Sequence, residues 1–514
     1  MRNRDAWLTT AVLVASMGAA LLRTQDPAPE VVAEQSDPAA ASLSARIDEL
    51  RSWVKEGKGK LSLRVLDVET GQRVAGVDDE LALNPASNMK VVTAAAALEL
   101  LGPDFSFRTG VYGDLNDTHS SSLVLRGDGD PSFGMGDVWR LASALVQSGL
   151  RQVDGDVLVD QSRFDGQYVP PAFDQQPNEW AYFRAPVSAV ALDENTVTLN
   201  VVPTAPGKPA RIWFDPPGFV NVSGHVRSDE QGKGQSIQLR LAPDGNKLRA
   251  DLDGHIADGL PRQRFSKRVD DPTLLAGFAL AHALESLGVE IKGKVKPGGS
   301  GEKRELVHVS SAPLNVLVQR LGKDSDNFYA EMVFKAIAAH ANPGEPSTFK
   351  QAAVQVSEWL AQVTPEGSRT APAPSGSAAL GGSAAPAMSG QSADVILNGS
   401  GLFDANRLSA ATLTRVLSHA YRDPRLSAEF VAQLSIGGVD GTLRSRLRNH
   451  RKRRVVRAKT GTLARVVALS GFVLRDGKEP YAFSILVNGI ADHAGVRRRM
   501  DRVVDALVSL SEQK

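Results

Sequence analysis

The sequence predicts an α+β fold, in which one antiparallel sheet is flanked by helices and a β-rich region of one or two small domains is inserted. Three observations support this prediction. A hairpin pattern lies near the start, at residues 61–77, and two more strand-like runs lie near the end, with helical patterns between them. A block over residues 104–268 consists of strand-like runs separated by turns rich in Gly, Pro and Asp. Separate runs of strands and helices are typical of α+β folds.

Length and composition limit the function. At 514 residues the chain is long enough for about two or three domains, and 42% apolar residues can supply their cores. The net charge of +1 gives no field that favours nucleic acid. The absence of cysteine excludes thiol catalysis and disulfides, and the nine histidines show no ligand spacing. We therefore expect neither a metal nor a cofactor.

The first residues have the pattern of an export segment. Arg2 and Arg4 precede an apolar run over residues 6–22, which is typical of a signal peptide; a buried core helix is disfavoured because the run has no amphipathic period. We expect residues 1–24 to be a cleaved signal or a membrane anchor, since the run is near the lower length limit for a span. Either interpretation predicts a periplasmic protein. The Pro- and Ala-rich residues 25–42 predict a flexible linker.

The folded part is predicted to begin with an amphipathic helix near Leu43. Residues 61–77 alternate at period two around a central turn, which predicts a hairpin. An apolar run over residues 91–101 then predicts a helix that Gly102 and Pro103 close.

Beyond the inserted block, helical and strand-like patterns alternate to the end. Helices are predicted at residues 272–287, 314–321 and 494–510, and strands at residues 466–474 and 481–487. We assign residues 43–103 and 269–514 to one discontinuous domain around the inserted residues 104–268. Residues 366–392 are mostly Ala, Gly, Ser and Pro, and predict a disordered loop because they bury too little apolar surface to offset ordering.

Three short motifs carry the chemistry. They are Ser87-Asn88-Met89-Lys90, Ser325-Asp326-Asn327 and Lys459-Thr460-Gly461-Thr462. Each is weak alone: the Ser-x-x-Lys pattern also occurs at Ser52 and Ser347, the second motif could be an ordinary helix cap, and the third could be a turn. Only Ser87 lies at the predicted start of a strongly apolar helix. The order of all three indicates one site.

Together the motifs supply a serine nucleophile with a lysine in place of histidine. Helical spacing puts Lys90 one turn after Ser87 on the same face, within hydrogen-bond reach. A lysine acts as a base only when neutral, and burial beside a second cation such as Lys459 favours that form. Ser325 could relay a proton, and Asn327 would hold Lys90 and the substrate backbone.

The third motif follows an apolar and basic run that predicts an edge strand along a cleft. Lys459 and Thr460 can bind a substrate carboxylate, and Gly461 leaves room for an extended peptide beside the strand. The backbone N–H groups of Ser87 and Thr462 would form an oxyanion hole.

The motifs and several other stretches resemble one family, the low-molecular-mass class C penicillin-binding proteins, which are D-alanyl-D-alanine carboxypeptidases and endopeptidases. The resemblance covers nearly all of residues 43–510. It includes residues 325–331, 399–402, 406–408, 438–443, 127–131 and 185–189. The chain differs in having Asn398 where the family usually has Asp before Gly-Ser-Gly, and in the additional loop at residues 366–392.

The resemblance implies a penicillin-binding transpeptidase-like domain with two domains inserted after the helix of Ser87. It also implies hydrolysis of the terminal D-Ala-D-Ala bond of peptidoglycan stem peptides, or of peptide cross-links, through an acyl-enzyme at Ser87, with β-lactams as covalent inhibitors. By position, Asp160 resembles a family residue near the diaminopimelate side chain of the substrate.

Two other functions stay open at this point. A β-lactam hydrolase would need an extra base for deacylation, and no glutamate motif for that is evident. A non-catalytic wall-binding scaffold is disfavoured because five candidate side chains are retained together: Ser87, Lys90, Ser325, Asn327 and Lys459. The basic run over residues 444–459 could suggest nucleic-acid binding, but in an exported protein we interpret it as the solvated rim of a hairpin.

Overall fold

The computed structural model describes residues 38–175, 180–301, 303–364 and 394–513. The predicted signal or anchor at residues 1–24 and the predicted disordered loop at residues 366–392 lie outside the described residues. The first helix begins at Pro38, inside the predicted linker of residues 25–42, because Ala39 and Leu43 are already buried on its first turns.

The described residues form helices and strands in the following order. The helices are α1 (Pro38–Glu56), α2 (Met89–Leu100), α3 (Met135–Gln147), α4 (Leu275–Ser286), α5 (Leu314–Gln319), α6 (Asn327–Ala341), α7 (Phe349–Val363), α8 (Ala410–Arg422), α9 (Ser427–Gln433) and α10 (His493–Ser511). The strands are β1 (Lys60–Asp67), β2 (Arg73–Val77), β3 (Arg108–Gly113), β4 (His119–Ser120), β5 (Leu123–Gly127), β6 (Gln152–Val153), β7 (Val157–Asp160), β8 (Thr196–Val202), β9 (Arg211–Asp215), β10 (Val220–Gly224), β11 (Arg227–Asp229), β12 (Gln235–Asp244), β13 (Lys247–Ala257), β14 (Gln263–Arg268), β15 (Glu290–Ile291), β16 (Val295–Pro297), β17 (Arg304–Ser310), β18 (Ser435–Ile436), β19 (Val456–Leu463), β20 (Val466–Arg475) and β21 (Lys478–Asn488).

A six-stranded sheet contains strands from both ends of the chain. Its order is β18-β19-β20-β21-β1-β2, with all neighbours antiparallel. The early hairpin joins the sheet where β1 pairs with β21, from Lys60 opposite Asn488 to Asp67 opposite Tyr481. The predicted antiparallel sheet is therefore confirmed.

Helices cover both faces of this sheet. Along β21, Phe483, Ile485 and Val487 pack with α1 and α10, whereas Ala482 and Leu486 face the core that α2 and α5 to α8 build. Successive side chains of a strand point to opposite faces, so a strand that is buried on both sides is apolar along most of its length. The helix α2 is buried from Met89 to Leu98.

The inserted region has its own core and is not purely β. Its five-stranded sheet has the order β16-β7-β5-β3-β17, and the helices α3 and α4 pack beside it. Because α4, β16 and β17 follow residue 268, this region extends to about residue 310, beyond the predicted border. Periodicity in the sequence identified α4 as a helix but could not show which core it buries.

The third motif lies on a strand that is only partly at the sheet edge. The short strand β18 pairs Ser435 with Ala458 and Ile436 with Arg457. It ends there, so no strand of the described ranges pairs with the outer edge of β19 from Lys459 onward. The predicted edge strand is thus open over the motif itself and covered just before it.

The basic run does not form a hairpin rim. The residues before β19 form short turns that pack against α10 through ion pairs of Arg446 with Asp501 and of His450 with Asp505. Arg446 is therefore paired with the last helix, whereas most of the other basic side chains of the run remain exposed to solvent.

Candidate active site

The three motifs meet at the open edge of the six-stranded sheet. Ser87 and Lys90 lie at the start of α2, Lys459 lies on β19, and the second motif lies at the start of α6. Both lysines are fully buried, whereas Ser87 is half-buried and therefore reachable from solvent. The geometry predicted from spacing is present.

Local structure holds Ser87 against the sheet. The Asn84 carboxamide accepts the N–H of Ala86 at 2.8 Å, and Asn84 and Asn488 exchange two backbone–side-chain hydrogen bonds of 3.0 and 3.1 Å. A Cβ on Gly461 would lie 3.1 Å from the backbone nitrogen of Ser87 and 3.0 Å from Ala86 Cβ. The glycine of the third motif therefore allows β19 to approach the loop that carries Ser87. From the sequence we had expected it to leave room for the substrate.

Three oxygen atoms surround the Lys90 amine. Its Nζ lies 3.2 Å from Ser87 Oγ, 2.7 Å from Asn327 Oδ1 and 2.8 Å from the carbonyl oxygen of Ser400. A neutral amine has two N–H groups and one lone pair. Two acceptors that cannot donate, the Asn327 and Ser400 oxygens, take the two N–H groups, so the lone pair faces the Ser87 hydroxyl.

Burial also favours the neutral form. Desolvation lowers the pKa of Lys90 to about 7, against the opposing charges of Glu331 and Asp326. The pKa of Lys459 lies well below its ordinary value because of burial and then the charge of Lys90. Lys90 is thus close to half deprotonated at neutral pH.

The second motif connects to both lysines. Lys459 Nζ donates to Ser325 Oγ at 2.7 Å and to its neighbouring carbonyl, that of Thr460, at 2.9 Å. Ser325 has the left-handed φ of +60°, after a π-helical turn, and this conformation directs it toward β19. Asn327 holds Lys90 through its oxygen and donates to the Phe183 carbonyl of the inserted region at 3.1 Å.

The helix-cap interpretation of this motif is also correct. Asp326 accepts the N–H of Tyr329 at 3.1 Å and caps α6, which leaves Ser325 and Asn327 on either side free to contact the lysines. Capping fixes the start of the helix, so one motif serves both the fold and the site.

The threonines of the third motif continue along β19. Thr460 Oγ1 donates to Thr442 Oγ1 at 2.8 Å, and Arg497 donates to Thr462 Oγ1 at 3.0 Å. These contacts fix the outer edge of the strand beside the serine.

Asp160 does not join this cluster. Its carboxylate accepts the N–H of Ser162 at 3.0 Å and of Ser300 at 3.2 Å, and it lies 3.9 Å from Arg126. Those contacts are at the end of β7, inside the inserted region. The turn after β7 directs this carboxylate toward Ser162 and Ser300, and its contact with the diaminopimelate side chain of a substrate stays a prediction.

Sequence reasoning missed the contribution of the loop at residues 398–402. Ser400 supplies the carbonyl that faces Lys90, and Glu331 on α6 accepts the N–H groups of Gly399 and Ser400 at 2.9 and 2.8 Å. The available signal was a carboxylate four residues after Asn327 on a mostly apolar helix.

The hydrogen bonds of Asn398 account for the asparagine that stands here where the family usually has Asp. Its amide nitrogen donates to the carbonyls of Pro171 at 3.0 Å and Leu402 at 3.3 Å, while its oxygen accepts from Gly401 N and Asn406 Nδ2. A carboxylate could not donate to either carbonyl. Within the part of the chain that the structure describes, no cluster of His, Asp and Glu could hold a metal ion.

Comparisons with known proteins agree with this fold. The profile of the D-Ala-D-Ala carboxypeptidase 3 (S13) family matches residues 43–367 and 390–509. A D-alanyl-D-alanine carboxypeptidase of Actinomadura sp. (strain R39) is 31% identical over 493 residues, which cover 90% of this chain and 84% of the relative. The carboxypeptidase DacB of Haemophilus influenzae is 26% identical over 438 residues, covering 82% and 84%.

A solved structure has the same architecture. The crystal structure of penicillin binding protein 4 (dacB) from Haemophilus influenzae matches with a TM-score of 0.68 and 24% identity, covering 90% of this chain and 98% of the other. The fold and the serine–lysine cluster define a penicillin-recognising serine enzyme. By the family profile and its relatives, the chain belongs to the D-Ala-D-Ala carboxypeptidase 3 (S13) family, which makes it a serine carboxypeptidase.

Proposed function

We propose that this carboxypeptidase removes the terminal D-Ala from peptidoglycan stem peptides, or cleaves peptide cross-links, through an acyl-enzyme at Ser87. The observation that carries the proposal is the environment of Lys90. In its neutral form the amine would donate its two N–H groups to the Asn327 and Ser400 oxygens, which leaves its lone pair for the serine Oγ 3.2 Å away.

Acylation would proceed by transfer of the Ser87 proton to Lys90 as Oγ bonds to the carbonyl carbon of the scissile amide. The N–H groups of Ser87 and Thr462 would stabilise the oxyanion. The C–N bond then breaks as Ser325 gives its proton to the leaving amine of D-Ala, and the proton held by Lys90 restores the Ser325 hydroxyl, so that Lys90 is neutral again. In the second half, water bonds to the acyl carbon and gives its proton to Lys90, and that proton returns to Ser87 Oγ as the acyl C–O bond breaks.

Substrate binding would use the third motif. Lys459 is fully buried, and among the described residues its Nζ donates to a hydroxyl and a carbonyl and to no carboxylate. The terminal carboxylate of a peptide would supply the missing negative charge, with help from Thr460. The open edge of β19 could pair with the extended backbone of the peptide.

Export is the second part of the proposal. Arg2 and Arg4 before the apolar residues 6–22 support a signal or anchor and a periplasmic location. In the described ranges, no helix combines the length and apolar character that a membrane crossing requires.

A labelled penicillin tests the reaction. We expect a persistent adduct whose mass maps to the Ser87 peptide, because a β-lactam acylates the same hydroxyl. Ser87→Ala should abolish labelling. Ser52→Ala, which removes the serine of an exposed Ser-x-x-Lys match on α1, is the matched control and should label normally.

The alternatives give different outcomes. Rapid release of hydrolysed penicillin would favour a β-lactam hydrolase, and absence of any adduct would favour a scaffold. An adduct on a residue other than Ser87 would overturn the proposed nucleophile. Release of D-Ala from a synthetic stem peptide then measures the carboxypeptidase reaction directly.

A further inference from the structure

Glu331 is a buried carboxylate to which the proposed mechanism assigns no role. It is 1% exposed and lies on α6, four residues after Asn327. Residues at this spacing lie on the same helix face. Its Oε2 accepts the N–H of Gly399 at 2.9 Å and its Oε1 accepts the N–H of Ser400 at 2.8 Å. Burial raises the pKa of this carboxyl, but the two backbone N–H groups oppose that shift, and a carboxyl whose two oxygens both accept N–H groups fits the ionised, acceptor-only form.

The loop that Glu331 holds passes between α6 and the turn that precedes α2, with almost no free space on either side. A Cβ on Gly399 would lie 2.7 Å from the Ala330 carbonyl oxygen, on α6. A Cβ on Gly401 would lie 1.9 Å from the Ala86 carbonyl oxygen, and Gly401 has a φ of +74°. The two glycines are therefore required by contact and by backbone conformation. The loop can reach this place only because both residues lack side chains.

The loop delivers one functional atom. The Ser400 carbonyl oxygen lies 2.8 Å from Lys90 Nζ, and Asn327 Oδ1 lies 2.7 Å from it. Glu331 fixes the first acceptor through the peptide N–H of Ser400, and α6 itself carries the second acceptor. Both acceptors of the Lys90 protons therefore depend on the same face of one helix.

We infer that Glu331 is a positioning residue for acylation, which orients the Lys90 amine toward Ser87 by fixing the Ser400 carbonyl. The inference rests on the proposed function, since it assigns a role within the same serine–lysine site. Glu331 reaches the substrate only through Ser400 and Lys90.

The charges around Lys90 give the sign of the effect. The charged groups that face it are Glu331 and Asp326 from α6 and its cap, and Lys459 from β19. Burial lowers the pKa of Lys90, and the Glu331 carboxylate opposes this by stabilising the ammonium. Removing that negative charge lowers the pKa of Lys90 further. The acid limb of the acylation rate against pH should then move to lower pH.

The variant Glu331→Gln tests both the position of the Ser400 carbonyl and the effect of the Glu331 charge on Lys90. A glutamine side chain has one acceptor oxygen and one NH2 group, so its NH2 group would oppose one of the two loop N–H groups that Glu331 accepts. The loop should then shift, and the Ser400 carbonyl should lose its fixed direction. We expect the maximal rate of penicillin acylation to fall about 10- to 100-fold, as for a small misplacement of a catalytic group. The midpoint of the acid limb should fall by about half a pH unit or more.

A second variant separates charge from position. Glu331→Asp keeps the charge but shortens the reach, so we expect a reduced rate with the acid limb close to that of the wild type. Should Glu331→Gln fail to fold, as judged by circular dichroism, Glu331→Asp still decides the positioning part. A wild-type rate in a folded Glu331→Asp protein would contradict it.

The matched control is Asp394→Asn. Asp394 is 7% exposed and accepts the N–H of Ser409 at 2.9 Å, so it is also a buried carboxylate bonded to backbone, but at the start of α8. We expect a lower melting temperature with an unchanged acid limb. A limb that shifts equally in both variants, or in neither, would overturn the inference. If the wild type forms no adduct, the proposed function fails instead.

Discussion

Two buried lysines, Lys90 and Lys335, have very different surroundings. Lys90 is bonded to a hydroxyl, an amide oxygen and a carbonyl. Lys335, on α6, forms an ion pair with Asp165 of the inserted region and lies 4.9 and 4.8 Å from the ring centroids of Phe164 and Phe349. Burial lowers the pKa of both amines, but only for Lys335 does a bonded carboxylate oppose it.

The difference shows how the same residue type serves two purposes. A buried ammonium is stable when a carboxylate and aromatic faces replace its hydration. Lys335 therefore acts as a cation that joins α6 to the inserted region. Lys90 has neutral acceptors in bonding contact, so it loses its proton near neutral pH and can act as a base.

The largest expected effect is on Lys90. Lys90→Met should reduce the rate of penicillin acylation by at least about 1,000-fold, because the serine then has no base. Lys335→Met is the matched control and should retain the wild-type rate. Labelling kinetics measure both, and a comparable loss in the two variants would show that the contrast between the lysines is wrong.

The free energy of unfolding should depend on the ion pair of Lys335, whereas the acylation rate should not. Asp165→Asn leaves Lys335 buried without its carboxylate, and we expect the free energy of unfolding to fall by about 3 kcal/mol. Lys335→Met should cost less, about 1 kcal/mol, since Asp165 is 24% exposed and can be hydrated. Urea denaturation measures both changes. An equal loss would indicate that the pair contributes by packing and not by compensation of charge.

The pH dependence gives the finest comparison. Lys90 is a base only when deprotonated, so the acylation rate should rise with pH, with a midpoint near its pKa of about 7. Below that midpoint the rate should change about tenfold per pH unit. Lys335→Met should leave the midpoint in place. A profile that is flat between pH 5 and about 8 would mean that another group removes the serine proton.

Much of the fold was predictable because its signals are local. Period-two alternation identified β1 and β2, and the apolar run after Ser87 identified α2. The extent of the inserted region was not predictable in this way. The helix α4 has the same apolar character as α2, but its partner is α3 in the inserted core, and no local pattern records that pairing.

Some residues of the candidate site were also predictable from the sequence, and others were not. The motifs indicated which side chains lie near Ser87, but Glu331 and Ser400 have no recognisable spacing to Lys90, which is 310 residues before Ser400. Asp160 was assigned by position in the sequence alone, whereas the turn after β7 decides where its carboxylate points, so its contact with substrate stays a prediction.

The sequence by itself indicated helices and strands at both ends of the chain, the antiparallel sheet and the chemical groups of the site, because periodicity and motif spacing are properties of neighbouring residues. Only the tertiary structure decided which buried lysine has a bonded carboxylate and which has a lone pair facing a serine. A proton on an amine depends on burial and on every charge within a few ångströms. Those neighbours, Ser400 for Lys90 and Asp165 for Lys335, come from 310 and 170 residues away along the chain.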